Sequence, residues 1–282
     1  MSKYVNNNGN LISTDTYAIR AGNRAHLYGD GLFETIRVLK GHPINLQNHL
    51  NRLTAGMKML QMHPQDEFDI AFFEREIHAL LTKNELTGSA RVRLSVDRKP
   101  GGNYAPITNH IDYLMEVEQV IPDCFELNPK GLSIDLYDDM KKPINILSPY
   151  KTKNCLLYIM GKLKAKELGV DDLLILNDKL GIIESTSSNL FIVSNGVLYT
   201  SGLDLGCVGG TMRMQIINLA IKHNIKVYEC NISPQNLLAA DEVFLTNAIK
   251  GIVWIASYRT KEYGNKVSGQ LVNYLNKEWN AE

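Results

Sequence analysis

The spacing of apolar residues along the chain predicts four helices. Apolar side chains recur every three or four positions through residues 47–60, and residues 68–83 repeat the pattern. Because these intervals match the turn of an α-helix, they place the apolar side chains on one buried face. A third apolar run covers residues 156–168 and ends at Gly169, a residue type that commonly caps a helix C-terminus. A fourth amphipathic helix is expected to begin near Thr211.

Short apolar runs that alternate with polar residues, or that end at turn-forming residues, predict strands. In residues 90–96, valine and leucine alternate with arginine and serine, the pattern of a strand with one buried face. Residues 99–106 read Lys-Pro-Gly-Gly-Asn-Tyr-Ala-Pro and predict a loop, and Lys-Gly-His-Pro at 40–43 predicts a turn. The predicted strands are residues 32–39, 44–46, 90–96, 113–120, 173–176, 190–193 and 243–245.

This order of elements predicts two domains of the α/β or α+β class with a cleft between them. A smaller N-terminal α/β domain is expected over residues 1–120 and a larger C-terminal domain over residues 132–282. Residues 121–131 contain prolines and a glycine and are expected to form the linker. The 282 residues are 44% hydrophobic and 21% charged, a composition that supports a buried core and argues against disorder.

Charge and cysteine content argue against several classes of function. The chain has 30 basic and 30 acidic residues and a net charge of zero, so neither nucleic acid nor an anionic membrane is an expected partner. Its four cysteines are widely spaced, so neither metal ligation nor a disulfide framework is expected. The polar N-terminus has no apolar signal core, and no apolar run is long enough to span a membrane. A small-molecule substrate and a cytoplasmic location are expected.

Several residues could carry chemistry, although each also has an ordinary structural interpretation. Lys151 and Lys153 precede a predicted helix and are both candidates for a reactive amine, but lysines in such places are usually solvated. Glu184 could be an exposed carboxylate at a strand end. Arg52 could pair with an acid on its own helix, and the glycines at 209–210 could form a plain turn.

Taken together, these residues lie within an ordered series of motifs that covers most of the chain. The first motif, Tyr-Gly-Asp-Gly-Leu-Phe-Glu-Thr at 28–35, is followed by His-Leu-Asn-Arg-Leu at 49–53. The later motifs are Lys-Thr-Lys-Asn at 151–154, Gly-Ile-Ile-Glu-Ser-Thr-Ser-Ser-Asn-Leu-Phe at 181–191, Gly-Thr-Met-Arg at 210–213 and Ala-Asp-Glu-Val-Phe at 240–244.

In composition and order these motifs resemble those of the class IV aminotransferases, also called fold-type-IV pyridoxal 5′-phosphate (PLP) enzymes. The resemblance implies a two-domain fold of the α/β and α+β classes. It implies PLP at the domain interface, with the C-terminal domain as the cofactor-binding one. It also implies a homodimer in which loops of the neighbouring subunit approach the substrate.

The family's residue roles can be carried onto matching positions. PLP needs an amine to hold its aldehyde as a Schiff base, and alignment on Asn154 gives that task to Lys151 rather than Lys153. Glu184 matches the carboxylate at the pyridinium nitrogen, and Arg52 matches the arginine at the phosphate. The implied catalytic residue is Lys151, and the implied cofactor-binding residues are Arg52, Lys151, Glu184, Asn189, Thr211 and Met212.

Three departures from the family patterns bear on which member this is. Branched-chain aminotransferases usually place the lysine four residues before the asparagine with tyrosine next, whereas here the interval is three and Cys155 follows. Asn-Tyr-Ala at 103–105 stands where D-amino-acid aminotransferases carry R-x-H. Thr-Asn-Ala-Ile-Lys-Gly-Ile at 246–252 replaces the T-x-E-I-T-P-V-like stretch of both transaminase types. These losses favour 4-amino-4-deoxychorismate lyase, which forms 4-aminobenzoate and pyruvate in folate synthesis.

Positive similarities point the same way. Gly-Thr-Met-Arg at 210–213, Asn-Ala at 247–248 and the loop from residue 98 to 102 are closer to the lyase pattern. The alternative is a branched-chain or D-amino-acid transaminase that uses a keto-acid acceptor. A PLP-binding protein without turnover is disfavoured, because Lys151 and Glu184 are both retained. The expected substrate contacts are Phe33, Arg98, Tyr104, Asn247 and Ala248.

Overall fold

The computed structural model of the chain describes residues 2–64 and 68–280. Contacts between Cα atoms divide it into two compact units. The first unit comprises Met1–Cys124 and Tyr150–Asn154, and the second comprises Phe125–Pro149 and Cys155–Glu282. The chain therefore leaves the first unit, returns to it for one short segment, and then completes the second.

The first unit is an antiparallel sheet covered by two helices. Its strands follow the order β2-β1-β6-β5-β3-β4, with α2 packed on β3 and α3 packed on β1 and β6. Leucine, isoleucine and valine side chains from the sheet and both helices form its core. The elements are β1 (Tyr4–Asn7), β2 (Asn10–Ser13), α1 (Arg24–Tyr28), β3 (Gly31–Leu39), β4 (His42–Pro43), α2 (Leu46–Met59), α3 (Ile70–Lys83), β5 (Ala90–Arg98) and β6 (Ile111–Gln119).

The segment Tyr150–Asn154 joins the first unit by pairing with β3. Phe33 N–H donates to the Lys151 carbonyl at 2.9 Å, and Lys153 N–H donates to the Gly31 carbonyl at 3.0 Å. Tyr150 packs against the core of the same unit. The predicted limits instead include this segment in a C-terminal domain of residues 132–282. Strand pairing depends on contacts distant in sequence, which local composition does not reveal.

The second unit is built on a nine-stranded mixed sheet. Its elements are β7 (Leu132–Lys142), α4 (Leu156–Leu168), β8 (Asp172–Asn177), β9 (Ile182–Ser185), β10 (Asn189–Ser194), β11 (Val197–Thr200), α5 (Thr211–Lys222), β12 (Val227–Glu229), α6 (Pro234–Ala239), β13 (Glu242–Asn247), β14 (Gly251–Tyr258), β15 (Lys261–Glu262) and α7 (Lys266–Asn280). The strand order is β12-β11-β10-β13-β14-β7-β8-β9, and β15 pairs with β14.

The sheet of the second unit closes on itself through β9. This short strand pairs with β8 on one side and with β10 on the other, so the path from β10 through β13, β14, β7 and β8 returns to β10. Glu184 on β9 lies opposite Ile175 of β8 and opposite Asn189 of β10. Because strands flank it on both sides, Glu184 is held within the sheet rather than at an exposed edge.

The structure confirms the four predicted helices as α2, α3, α4 and α5. Gly169 caps α4 in the left-handed conformation, as its position predicts. The short strand predicted at 44–46 is wrong, because the residues that pair with β3 are His42 and Pro43. Asn45 takes a left-handed conformation and α2 begins at Leu46, so the residues predicted as a strand instead lead into a helix. In the described ranges, none of the helices is long and apolar enough to cross a membrane.

Candidate active site

In the first unit, Glu34 anchors a buried ionic cluster. His49 and Arg52 are three residues apart on α2, so they share one helix face and both reach Glu34 on β3. Arg52 Nε donates to Glu34 Oε1 at 2.7 Å, and a second guanidinium nitrogen contacts Oε2. His49 Nδ1 lies 2.6 Å from Glu34 Oε2. Arg52 therefore pairs with a carboxylate on a strand and not with one on its own helix.

The electrostatics of this cluster fix its charge state. Burial alone would raise the pKa of Glu34, but Arg52 and His49 together lower it to about 2. Burial lowers the pKa of His49, and the nearby charges of Arg52 and Lys151 lower it further against the opposing effect of Glu34. At neutral pH the cluster is an ionised pair with a neutral imidazole, and it holds the Arg52 guanidinium in one orientation.

The two candidate lysines differ in their surroundings within the first unit. Lys153 forms an ion pair with Asp97 of β5. The Lys151 ammonium instead lies 4.5 Å from the centroid of the Phe33 ring, and Arg93 contacts the same ring at 4.0 Å. The Lys153 ammonium is therefore held within the fold by an ion pair, and the assignment of Lys151 as the reactive amine stays a prediction.

Arg98 and Tyr104, both predicted as substrate contacts, have opposite environments. Arg98 is buried and donates to Asp30 Oδ2 at 2.9 Å, to Asn109 Oδ1 at 2.6 Å and to the Leu60 carbonyl at 2.6 Å. Its guanidinium is thus occupied by groups of the fold. Tyr104 is 91% exposed at the tip of its loop.

Arg24, which sequence reasoning missed, holds the loop that carries Tyr104. Its guanidinium donates to the carbonyl of Asn103 at 2.6 Å and to Asp30 Oδ2 at 2.8 Å. It also lies over the ring of Tyr28 at 5.0 Å. Arg24 lies within the short helix α1, where no motif marks it, so only its burial reveals its role.

In the second unit, Glu184 is buried and accepts hydrogen bonds at both oxygens. Its Oε1 accepts from Lys142 Nζ at 2.7 Å and from the Tyr158 hydroxyl at 2.8 Å. Its Oε2 accepts from the Val208 N–H at 2.8 Å. The interpretation of Glu184 as an exposed strand-end carboxylate is therefore wrong. Neither Lys142 nor Tyr158 belongs to a quoted motif, so sequence reasoning missed both.

Besides Lys142, two titratable groups near Glu184 are neutral. Burial, and then the charge of Glu184, raise the pKa of the Tyr158 hydroxyl far above its ordinary value. Burial raises the pKa of the Cys207 thiol to about 11. Tyr158 therefore remains a hydrogen-bond donor to the carboxylate, and Cys207 remains a thiol.

In the turn before α5, position 210 has no room for a side chain unless Asn189 moves. A Cβ atom on Gly210 would lie 1.9 Å from Asn189 Oδ1, far inside contact distance. The Asn189 amide donates to the Val208 carbonyl at 2.7 Å, so Asn189 fixes this turn. Helix α5 follows with Thr211 and Met212 buried in its first turn, and its N-cap has no side chain to cap the helix. A helix N-terminus of this kind suits an anion.

Asn247 organises the turn after β13. Its amide group donates to Ser188 Oγ at 2.9 Å, and its Oδ1 accepts from the N–H groups of Ile249 and Lys250 at 3.0 and 2.8 Å. Ala248 lies within the turn so formed. No carboxylate is present at positions 247–250.

Each unit contains a group of the kind that the expected cofactor needs. A ring nitrogen needs a buried carboxylate, and Glu184 in the second unit is one; a phosphate needs an oriented guanidinium, and Arg52 in the first unit is one. Thr246, which pairs with Asn189 across β13 and β10, has a buried hydroxyl without a hydrogen-bond partner among the described residues. A bound polar group that satisfied this hydroxyl would remove a penalty of about 1–3 kcal/mol.

Comparison with known proteins identifies the family of the chain. The profile of the Amino-transferase class IV family matches residues 31–258. A putative branched-chain-amino-acid aminotransferase of Methanocaldococcus jannaschii is 27% identical over 277 residues, covering 96% of this chain and 93% of the relative. An aminodeoxychorismate lyase of Bacillus subtilis is 26% identical over 276 residues, covering 95% of this chain and 90% of the relative.

Among solved structures, the fold is similar to that of the branched-chain aminotransferase of Thermoproteus uzoniensis, crystallised with norvaline. The TM-score is 0.88 at 21% sequence identity, and the match covers 98% of this chain and 94% of the other. At this identity the similarity shows the fold alone.

Proposed function

Because this chain belongs to the amino-transferase class IV family, we propose that it is a 4-amino-4-deoxychorismate lyase, which forms 4-aminobenzoate and pyruvate for folate synthesis. Membership of the family makes the protein an enzyme with PLP as its cofactor, and its fold is the two-domain fold type IV. The proposed lyase activity depends on the residues that replace the transaminase patterns.

The turn at 247–250 is the observation that carries the proposal. Asn247 uses its side chain to close the turn, and Ala248 presents a methyl group where transaminases carry the T-x-E-I-T stretch. This part of the turn therefore carries no negative charge. Aminodeoxychorismate carries carboxylates, and a turn without a glutamate avoids the repulsion that a glutamate there would exert on them.

The proposed roles divide between the two units. Bound PLP supplies an aldehyde that bonds to an amine and a ring that accepts electrons. Lys151 forms the covalent bond and then moves the substrate proton. Glu184 holds the proton of the ring nitrogen. Arg52 and the α5 N-terminus at Thr211 and Met212 bind the phosphate, and Asn189 positions that turn.

The predicted substrate contacts have unequal support. Phe33 lies beside Lys151, and Tyr104 is exposed on a loop, so both suit contact with a ligand. Asn247 and Ala248 shape the turn that we assign to substrate recognition. In this proposal Arg98 stabilises the fold and does not contact the substrate, because its guanidinium donates to Asp30, Asn109 and the Leu60 carbonyl.

Product analysis on aminodeoxychorismate tests the proposal. We expect 4-aminobenzoate and pyruvate in equal amounts without any added 2-oxoglutarate. Lys151→Ala should lower the rate by about 100- to 10,000-fold, because the amine that moves the proton is lost. Lys153→Ala is the matched control and should retain most activity. Borohydride should attach the cofactor to the peptide at Lys151, and a label at Lys153 would contradict the assignment.

A branched-chain or D-amino-acid transaminase is the second candidate, favoured by the similarity to the Methanocaldococcus jannaschii relative along nearly the full chain. A transaminase leaves the amino group on the cofactor and needs a keto acid to remove it. Dependence on a keto acid therefore separates the two activities. Rapid exchange between leucine or D-alanine and 2-oxoglutarate, with no 4-aminobenzoate formed, would reject the lyase and leave the family membership intact.

We also propose that the enzyme is a homodimer. Leu156, Ile159, Met160 and Leu163 recur at helical spacing on α4, and each is 46–71% exposed. A continuous apolar face of this kind commonly marks a protein interface. The charge variant Leu163→Glu should yield monomers in sedimentation analysis, whereas Lys164→Glu, beside it but off this face, should not. A wild-type monomer at micromolar concentration would reject the dimer.

A further inference from the structure

Lys142 is a buried lysine that the proposed mechanism does not use. It is the last residue of β7 and is 9% exposed. Its ammonium donates to Glu184 Oε1 at 2.7 Å and to the Ser148 carbonyl at 3.2 Å. Ser148 lies three residues before Lys151 in the chain. One ammonium therefore contacts both the carboxylate proposed for the ring nitrogen and the loop that leads to the proposed reactive lysine.

The hydrogen bonds of Glu184 are unevenly distributed between its two oxygens. Oε1 accepts from Lys142 and Tyr158, whereas Oε2 accepts one bond from the Val208 N–H among the described residues. Each carboxylate oxygen has about two acceptor positions. Oε2 thus retains capacity for one more donor, while the lysine occupies Oε1.

The groups that face Glu184 come from three elements. They are Lys142 from β7, Tyr158 from α4 and Cys207 from the turn before α5, and Arg213 of α5 lies near Cys207 in an ion pair with Glu229. Tyr158 and Cys207 are neutral for the reasons given above. Lys142 is therefore the described cation that directly contacts this carboxylate.

We propose that Lys142 is a positioning residue for the PLP site, a resident cation that shares the Glu184 carboxylate with the ring nitrogen and weakens its hold on the nitrogen's proton. This inference rests on the role proposed for Glu184. Two cations on one buried anion repel each other, and one carboxylate neutralises only one of them. The ring nitrogen of the wild-type holoenzyme therefore releases its proton at a lower pH than it would beside Glu184 alone.

Nitrogen-15 NMR of the enzyme reconstituted with ring-labelled PLP measures this proton directly. In each protein the ring signal should change with pH, and its midpoint gives the pKa of the ring nitrogen. Lys142→Met removes the competing charge and should raise the midpoint by at least about one pH unit. If Lys142→Met does not fold, Lys142→Gln, which can still donate to Ser148, should also raise the midpoint. Lys142→Arg keeps the charge and should stay near the wild-type value.

Lys141→Met is the matched control, because Lys141 is the preceding residue and pairs with the exposed Asp138 instead. Its midpoint should equal that of the wild type. A wild-type ring nitrogen that stays protonated over the whole pH range of the folded enzyme would overturn the inference. So would midpoints that do not rise in Lys142→Met or Lys142→Gln.

Unfolding of the cofactor-free protein separates this inference from the proposed function. Lys142→Met should lower the urea midpoint, Lys141→Met should not, and adding Glu184→Gln to Lys142→Met should restore part of the loss. No loss in Lys142→Met would reject the ion pair itself. A ring signal equal to that of free PLP would reject the cofactor site, and a failed product assay would reject the lyase alone.

Discussion

Each of the two units contains a buried carboxylate that contacts a cation and a neutral side chain, and the comparison shows how differently such a cluster can be used. In the first, Glu34 supports Arg52, and the cation is the group proposed to meet a ligand. In the second, Lys142 contacts Glu184, and the carboxylate is the group proposed to meet a ligand. The supporting partner is in each case the residue that the motifs did not assign a role.

The clusters also differ in how completely the carboxylate is used. Both Glu34 oxygens contact Arg52, and His49 adds a further contact at Oε2. Such bidentate pairing fixes geometry and leaves the carboxylate with a structural task. Glu184 accepts one hydrogen bond from the Lys142 ammonium, at Oε1, so its other oxygen can still accept from another donor. The choice of arginine in one unit and lysine in the other follows from this difference.

The largest expected effect follows from removing the charge of Glu34. Glu34→Gln leaves the Arg52 guanidinium buried without its anion, and we expect the free energy of unfolding to fall by about 3–5 kcal/mol. Urea unfolding at pH 7 measures it. Glu118→Gln, in an exposed pair with Arg91, should cost less than about 1 kcal/mol. Equal losses in the two variants would mean that the Glu34 cluster has no structural role.

The matching change in the second unit should be seen in turnover. Glu184→Gln replaces the carboxylate with an amide that cannot hold the ring proton, so we expect PLP to remain bound. The rate should fall roughly 10- to 1,000-fold, or about 1.4–4 kcal/mol. Glu167→Gln on the exposed face of α4 is the control. Unchanged turnover in Glu184→Gln would mean that Glu184, like Glu34, has only a structural role.

A smaller effect is expected on cofactor affinity. Arg52→Ala removes a charge-assisted contact to phosphate, which typically contributes about 1.5–3 kcal/mol, so the Kd for PLP should rise about 10- to 150-fold. Titration of the cofactor-free enzyme with PLP measures this change. Arg91→Ala, on the exposed side of β5, should bind as the wild type does. Unaltered affinity in Arg52→Ala would remove Arg52 from the phosphate site.

The smallest effect concerns pH. Because the folded-state pKa of His49 is lowered from 6.5, the unfolded chain takes up a proton first, and stability declines as pH falls below 6.5. The loss is at most about 1.4 kcal/mol per pH unit. Glu34 acts in a lower pH range, because its contribution to the stability of the fold is present above pH 4.5 and is lost as pH falls towards 2. His49→Asn should flatten the first decline in urea unfolding, whereas the exposed His42→Asn should not.

Four of the helices were predicted because their apolar spacing is a local signal, whereas α1, α6 and α7 were not predicted. Helix α4 begins and ends where apolar spacing and Gly169 placed it. Pairing between distant strands has no local signal, so neither the closure of the second sheet by β9 nor the return of Tyr150–Asn154 to the first unit was predicted. The error at 44–46 has a local cause, since Asn45 adopts a left-handed conformation that the apolar pattern does not reveal.

The candidate site was only partly predictable for a related reason. Arg52, Lys151 and Glu184 were assigned from motifs, and their roles in binding PLP stay predictions. Lys142 and Tyr158 reach Glu184 from two other elements, and no spacing rule connects the three positions. Arg24 likewise supports its loop through backbone carbonyls, which carry no sequence signature. Supporting residues are identified by their contacts, and contacts need the fold.

The close approach of Asn189 to Gly210 constrains the order in which this protein can change. With asparagine in its present position, a methyl group at position 210 would overlap Asn189 Oδ1, so Gly210→Ala requires the Asn189 side chain to move. A smaller residue at 189 would open that space, although the hydrogen bond to Val208 would be lost. The two positions therefore form an epistatic pair, because the cost of a side chain at 210 depends on the residue at 189. We expect a lineage with a side chain at 210 to carry a smaller residue or a displaced asparagine at 189.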